Sequence, residues 1–206
     1  MKKNIKIKNT RDVMINSGVF IRGRVLDAGG GDSKYKAIIK ESAAEYICLD
    51  IKPGDNVDVV GDVLNMPFQD GYFDTVISNQ VLEHIKEPEK LFSETYRVLK
   101  SGGYFICTAP FLEPNHSDPE DYFRYTKEAL GLMAQRHKFK IVKNGAYGGW
   151  PTVIFSFIRF KLFNPYKKHP RIKRAILRRL TRLFDFLDEH SSLGIVYCDS
   201  FLIAQK

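Results

Sequence analysis

Arg24-Val25-Leu26-Asp27-Ala28-Gly29-Gly30-Gly31-Asp32-Ser33 is a short apolar strand that meets an acid and then a glycine turn. Such a turn lets backbone approach a ligand closely and bares amide groups at the start of the next helix. Two further acids follow in step. Asp50 ends Tyr46-Ile47-Cys48-Leu49-Asp50, and Asp62 stands in Gly61-Asp62-Val63-Leu64. One Asp at a strand end is as readily a turn or cap residue. Three of them after consecutive strands form a nucleoside-binding constellation.

Outward from this turn, residues 24 to 109 alternate β-rich runs with helical patterns, which predicts βαβ units and a parallel sheet. Strands are expected near Arg24–Ala28, Glu45–Asp50, Val57–Val60, Phe73–Ser78 and Tyr104–Thr108. After Pro88, the residues Leu91, Phe92, Thr95, Val98 and Leu99 recur at helical spacing, with Ser101-Gly102-Gly103 as the stop. The Thr126 hydroxyl is placed to cap a further helix, a strand begins near Phe139, and Val196 to Ala204 reads as the closing strand.

Residues 148–192 break the alternation and read as a helical insertion before that last strand. The aromatic run Trp150 to Phe163 falls short of the roughly 20 residues a membrane-spanning helix needs. After Pro170, Ile172, Ile176, Leu180, Leu183, Phe184 and Leu187 share one helical stripe, with Arg171, Lys173, Arg174, Arg178, Arg179 and Arg182 around it. That is an amphipathic basic helix. Residues 1–20, with Lys2, Lys3, Lys6 and Lys8, read as a basic arm or a lid helix ahead of a domain spanning 21–206.

A length of 206 residues suits one domain with a decoration, and 27% charged with 44% hydrophobic residues excludes wholesale disorder. Cys48, Cys107 and Cys198 lie in apolar runs, never at metal-ligand spacing, and read as small buried hydrophobes of a reducing compartment. Met1 to Lys6 alternates charge with apolar residues and lacks the apolar segment of a signal peptide, so a cytoplasmic location is expected. The net charge of +8 is unevenly spread. Ala129 to Phe184 holds 14 Lys or Arg and no Asp or Glu, which leaves the remainder net acidic and points to an anionic partner for the C-terminal third.

At the turn, Gly29 and Gly31 take the close-approach positions. A dinucleotide fingerprint fits less well, because Lys34 stands where its last glycine belongs. Asp27, two residues before Gly29, suits a ligand carrying an ammonium group. Asp50 lies where a carboxylate accepts hydrogen bonds from ribose hydroxyls, and Asp62 where one accepts from an adenine amino group.

From Arg24 to Val142 the chain resembles class I S-adenosylmethionine (SAM)-dependent methyltransferases of the type 11 branch. The resemblance rests on Val25 to Gly31, Gly61-Asp62 followed by Met66-Pro67-Phe68, Phe73-Asp74-Thr75-Val76-Ile77-Ser78-Asn79, Leu82-Glu83-His84-Ile85 and Val98-Leu99-Lys100-Ser101-Gly102-Gly103. It implies a Rossmann-like α/β fold whose seven-stranded sheet is parallel except for an antiparallel last strand. It also implies an enzyme with SAM as cofactor. Asp27, Gly29 and Gly31 would hold the methionine part, Asp50 the ribose, and Asp62 with the Val63 amide the adenine; Asn79 would face the sulfonium, and Ala28 and Ile51 would also line the cofactor. Ser33 departs from the third glycine of the family's turn.

The acceptor is expected at the loop after the fifth strand, since loops at the carboxyl ends of strands border the ligand crevice. His116 is the first candidate for a general base, being titratable near neutrality, and His84 the second. Glu120, Asp121 and Arg124 could pair among themselves and shape the loop. His116, Asp118, Glu120 and Asp121 could collect a metal, but crowded loop carboxylates are more often solvated, and no metal is assigned. Ser78-Asn79-Gln80-Val81 stands where nucleobase amino-methylases carry Asn-Pro-Pro-Tyr or Asp-Pro-Pro-Tyr, which favours O-methylation.

The segment Asp118 to Thr126 resembles methyltransferases that accompany bacterial polysaccharide synthesis. A saccharide or lipid-linked glycan is the expected acceptor, with residues 150–187 lying on an anionic membrane surface. Three alternatives stand beside it: an RNA or small-molecule acceptor, packing of these helices on the sheet or a twin subunit, and a non-catalytic SAM-binding module.

Overall fold

The computed structural model describes residues 6–116, 120–163, 170–190 and 196–206. Strands β1 (Arg24–Ala28), β2 (Glu45–Asp50), β3 (Val59–Val60), β4 (Phe73–Asn79), β5 (Leu99–Pro110), β6 (Lys140–Tyr147) and β7 (Asp199–Gln205) form one sheet. Its order is β3-β2-β1-β4-β5-β7-β6. β1 to β5 pair in parallel, and β7 runs antiparallel to both of its neighbours. The carboxyl ends of β1, β2, β4 and β5 therefore share one edge, and the strand order reverses at β1, where open α/β sheets form their crevice.

Side-chain alternation along these strands builds two cores. Leu26, Val76, Phe105 and Leu202 pack with Leu91 and Phe92 of α3 (Pro88–Val98) and Leu130 of α4 (Lys127–Arg136) on one face. On the other, Val25, Ile77, Ile106 and Ile203 pack with Val13 and Met14 of α1 (Thr10–Asn16) and Ile39 of α2 (Lys36–Lys40). Pro88 opens α3, where its missing N–H costs nothing. Thr126 caps α4 as expected, its hydroxyl accepting from the Ala129 amide at 3.1 Å. The three cysteines are free and buried.

Two expected boundaries move. Ser101-Gly102-Gly103 does not stop α3: the helix ends at Val98, and the glycines lie inside β5. Gly102 adopts φ +77°, a Cβ on Gly103 would stand 2.9 Å from the Lys100 carbonyl oxygen, and the β4/β5 register shifts between Phe73 and Thr75. This is a bulge, which needs the same glycine freedom as a helix stop. β3 shrinks to two residues because the Asp58 carboxylate accepts the Cys48 amide at 2.8 Å, outside the ladder pattern.

Within residues 1–20, positions 1–5 lie outside the described residues, and Thr10 to Asn16 form a helix. The Asn9 side chain caps it by accepting the Asp12 amide, and Val13 and Met14 are fully buried. The insertion folds as α5 (Trp150–Leu162) and α6 (Arg171–His190). Phe155 stacks on Phe184 at 4.7 Å, and the buried Asp188 carboxylate accepts from the Gly149 amide at 3.2 Å and from the Thr152 hydroxyl. Lys6 reaches the carbonyls of Asp188 and Glu189 at 2.9 Å each, and Lys8 pairs with Glu189 at 2.6 Å. These lysines answer the partial negative charge at the end of α6.

Candidate functional site

The glycine turn is held from both sides. The Gly29 and Gly30 amides donate to the Leu49 carbonyl at 2.8 and 3.3 Å, which fixes the turn to the end of β2. Gly29 and Gly31 have φ of +78° and +50°. A Cβ on Gly29 would meet Val81 Cγ2 at 2.6 Å, and one on Gly30 would meet Cys48 Sγ at 2.6 Å and the Asp27 carboxyl carbon at 2.9 Å. At Gly31, by contrast, a Cβ would find only Asp50 Oδ2, at 3.7 Å, among the described residues. Ser33 takes φ +52°, the left-handed value that glycine would supply, so the turn keeps its course.

The acids expected from the sequence converge here. Asp50 Oδ2 accepts the Gly31 amide and Oδ1 the Lys52 amide, both at 2.9 Å, so this side chain ties the first turn to the second strand. Each oxygen retains a lone pair for a further donor. Asp27 is 4% exposed and accepts the Tyr46 hydroxyl at 2.6 Å. Burial pushes its carboxyl up to about 6, with the Asp50 charge adding and the Tyr46 hydrogen bond opposing. The Gly61 amide donates to the Asp50 carbonyl at 2.9 Å, bringing Asp62 to the same edge, where Oδ1 closes a turn on the Leu64 amide at 2.8 Å. Ile51 is 66% exposed beside it, Val63 is half-buried, and Ala28 is fully buried, so Ala28 offers only backbone.

At the end of β4, Asn79 Oδ1 accepts the Thr108 hydroxyl at 3.2 Å, while Nδ2 lies 3.6 Å from Met14 Sδ of α1. Gln80 follows with φ +54° and donates to Asp199 at 3.1 Å. The sequence reading missed Tyr46, Gln80 and Met14. Tyr46 is two residues before Cys48, the register partner of Asp27, a relation that only strand pairing reveals.

The acceptor-side candidates also gather. His84 closes the 3-10 turn Leu82–His84 directly after β4, and His116 follows β5; their rings meet edge-on with centroids 5.3 Å apart. The Glu83 carboxylate, 3.5 Å from His116 Nε2, raises that imidazole to about 8 against partial burial, which lowers it. Of the proposed loop cluster, Asp118 lies outside the described residues. Asp121 is bound to Arg124 and to the His116 amide at 2.8 Å, and Arg124 holds it down to about 2. Glu120 faces Lys86 at 3.9 Å instead. Arg124 also donates to the carbonyls of Glu113 and Pro114, so the Asp121–Arg124 pair shapes the loop.

Along α5 and α6, Trp150, Ile154, Phe157, Leu162, Ile172, Ile176 and Leu183 are exposed, and Arg178, Arg179 and Arg182 are exposed alongside them. Among the described residues no helix is long and apolar enough to cross a membrane.

Residues 26–107 match the family described as "Methyltransferase domain". An uncharacterized methyltransferase from Mycobacterium sp. (strain KMS) is 31% identical over 102 residues, covering 42% of this chain and 40% of that protein. A demethylmenaquinone methyltransferase from Renibacterium salmoninarum is 29% identical over 124 residues, covering 55% and 52%. The chain thus spans about half the length, or less, of these curated relatives. A SAM-dependent methyltransferase from Archaeoglobus fulgidus superposes with a TM-score of 0.64 at 20% identity, over 96% of this chain and 93% of that one. The match to the methyltransferase domain family thus falls on residues 26–107, and the chain shares the fold of the SAM-dependent methyltransferase it superposes on.

Proposed function

We propose that this chain is a SAM-dependent methyltransferase that O-methylates a saccharide or lipid-linked glycan, working against an anionic membrane surface. The observation that carries the cofactor half is the interlock of Gly31 with Asp50 and of Asp27 with Tyr46 at one sheet edge. SAM supplies a methyl group already activated on a sulfonium, so the protein aligns the acceptor and excludes water. Asp27 meets the ammonium, and the Gly29–Gly31 backbone wraps the methionine part. Asp50 and exposed Ile51 hold the ribose side, Asp62 and Val63 the adenine, and Asn79 faces the reacting centre. His116, with His84 beside it, is the acceptor-activating group, because a hydroxyl must lose its proton on methylation.

The acceptor class is supported by the exposed apolar and arginine-bearing face of α5 and α6, which suits anionic head groups. The test is transfer of labelled methyl from SAM into fractionated cell extract, with Asp50→Ala as the blank. Label is expected in the lipid or polysaccharide fraction. Label in RNA would reassign the arginines to phosphate contacts, and no label above the blank would leave a binding-only module.

A further inference from the structure

Glu83 is an acid in an unusual position. It is fully excluded from solvent, and neither carboxylate oxygen has a hydrogen-bond partner among the described residues. Removing an ionised carboxylate from water costs several kcal/mol unless an opposite charge answers it. What faces it is a pair of imidazoles. Nε2 of His116 lies 3.5 Å and Nε2 of His84 3.8 Å from Glu83 Oε1, and one ligand atom from each of the three residues lies within 4.8 Å of the others.

The other nitrogen of each ring settles what these can offer. Nδ1 of His116 sits 3.0 Å from the Pro114 carbonyl oxygen, and Nδ1 of His84 contacts that of Glu120. A carbonyl only accepts, so each Nδ1 carries the hydrogen, and in the neutral ring Nε2 keeps its lone pair. Two imidazole Nε2 atoms, each able to give up its hydrogen to an incoming cation, and a buried carboxylate then face one another, each imidazole steadied from behind by backbone. That backing is the usual outer shell of a metal-bound histidine.

We propose that Glu83, His84 and His116 bind a divalent transition-metal ion of the zinc type. Two imidazoles with one carboxylate favour such an ion over magnesium or calcium, which prefer all-oxygen shells. Bonds of about 2.0–2.1 Å in a tetrahedral site set ligand atoms roughly 3.3 Å apart, so the two Glu83–imidazole spacings need only slight closure. The His84 and His116 side chains are 18% and 21% exposed, which gives the ion an entry.

The role of the ion rests on the methyltransferase reading. An acceptor hydroxyl bound at the fourth position loses its proton to solvent more readily, so His84 and His116 activate it through the ion rather than by taking the proton themselves. Its oxygen then forms the O–CH3 bond as the S–CH3 bond of SAM breaks, and neutral S-adenosylhomocysteine leaves.

The test uses the full chain stripped with chelator and dialysed against zinc chloride, with metal counted per chain by mass spectrometry. A parallel cobalt(II) sample is read by its visible d–d absorption. One ion per chain is expected, with intense cobalt bands. His84→Gln and His116→Gln should each weaken binding roughly 100-fold. These two partly exposed positions are the decisive variants, because Glu83→Gln disturbs a buried site. Failure to bind zinc stoichiometrically, or binding indifferent to both histidine changes, would overturn the proposal and leave Glu83 answered by imidazolium alone. Calorimetry of SAM in the same samples separates the two readings. Zinc without SAM binding would sink the methyltransferase, and SAM without zinc would sink the metal site.

Discussion

The cofactor edge and the α5–α6 face are built on opposite principles. At the edge, backbone amides of Gly31 and Lys52 are already spent on Asp50, and Tyr46 on Asp27, so the site is set before any ligand arrives. On the α5–α6 face, Trp150, Phe157, Ile172 and Leu183 stand in solvent with arginines between them. One region offers fixed donors and acceptors, atom by atom. The other presents only a chemical character, apolar and cationic.

The contrast breaks most readily at Asp50. Asp50→Ala removes two amide contacts and the proposed ribose acceptor, and charged hydrogen bonds of about 1.5–3 kcal/mol each predict at least a 100-fold loss of SAM affinity by calorimetry. Unchanged affinity would refute the cofactor assignment. On the other region, reversing Arg178 and Arg179 to Glu should cut binding to anionic liposomes about tenfold or more, at roughly 1 kcal/mol per basic residue near the surface. Cosedimentation that ignores both changes would sink the membrane reading.

A subtler effect sharpens the edge itself. Asp27 is raised to about 6 from its ordinary value of 3.8. In the ligand-free protein its contribution to stability is full below about 3.8 and is lost as pH rises through about 6. SAM binding runs the other way, since the ammonium needs the ionised carboxylate, and affinity should fall as pH drops below about 6. Asp27→Asn should flatten both profiles in paired melting and calorimetric series.

How much of this was legible depends on whether the signal was local. β1 and β2 lie where the sequence reading puts them, because each is an apolar run closed by an acid and a turn. The antiparallel last strand and the helical insertion also stand as expected. The bulge at Gly102–Gly103 was misread, since glycine after an apolar periodic run serves a helix stop and a strand irregularity alike. Tyr46 and Glu83 were invisible for another reason. Their roles come from cross-strand register and from burial, and an acid beside a turn reads as surface. The basic arm showed the same limit: Lys6 and Lys8 end on Asp188 and Glu189, at the far side of the sequence.

The position of β7 has a consequence for how the chain is made. It inserts between β5 and β6, and among the described residues β6 pairs with no other strand. During vectorial synthesis β1 to β5 can zip in order, but β6 must wait, its backbone unpaired, until residues 199–205 arrive. Until then the nascent sheet ends at β5 with an open edge, the arrangement most prone to pairing with a stranger.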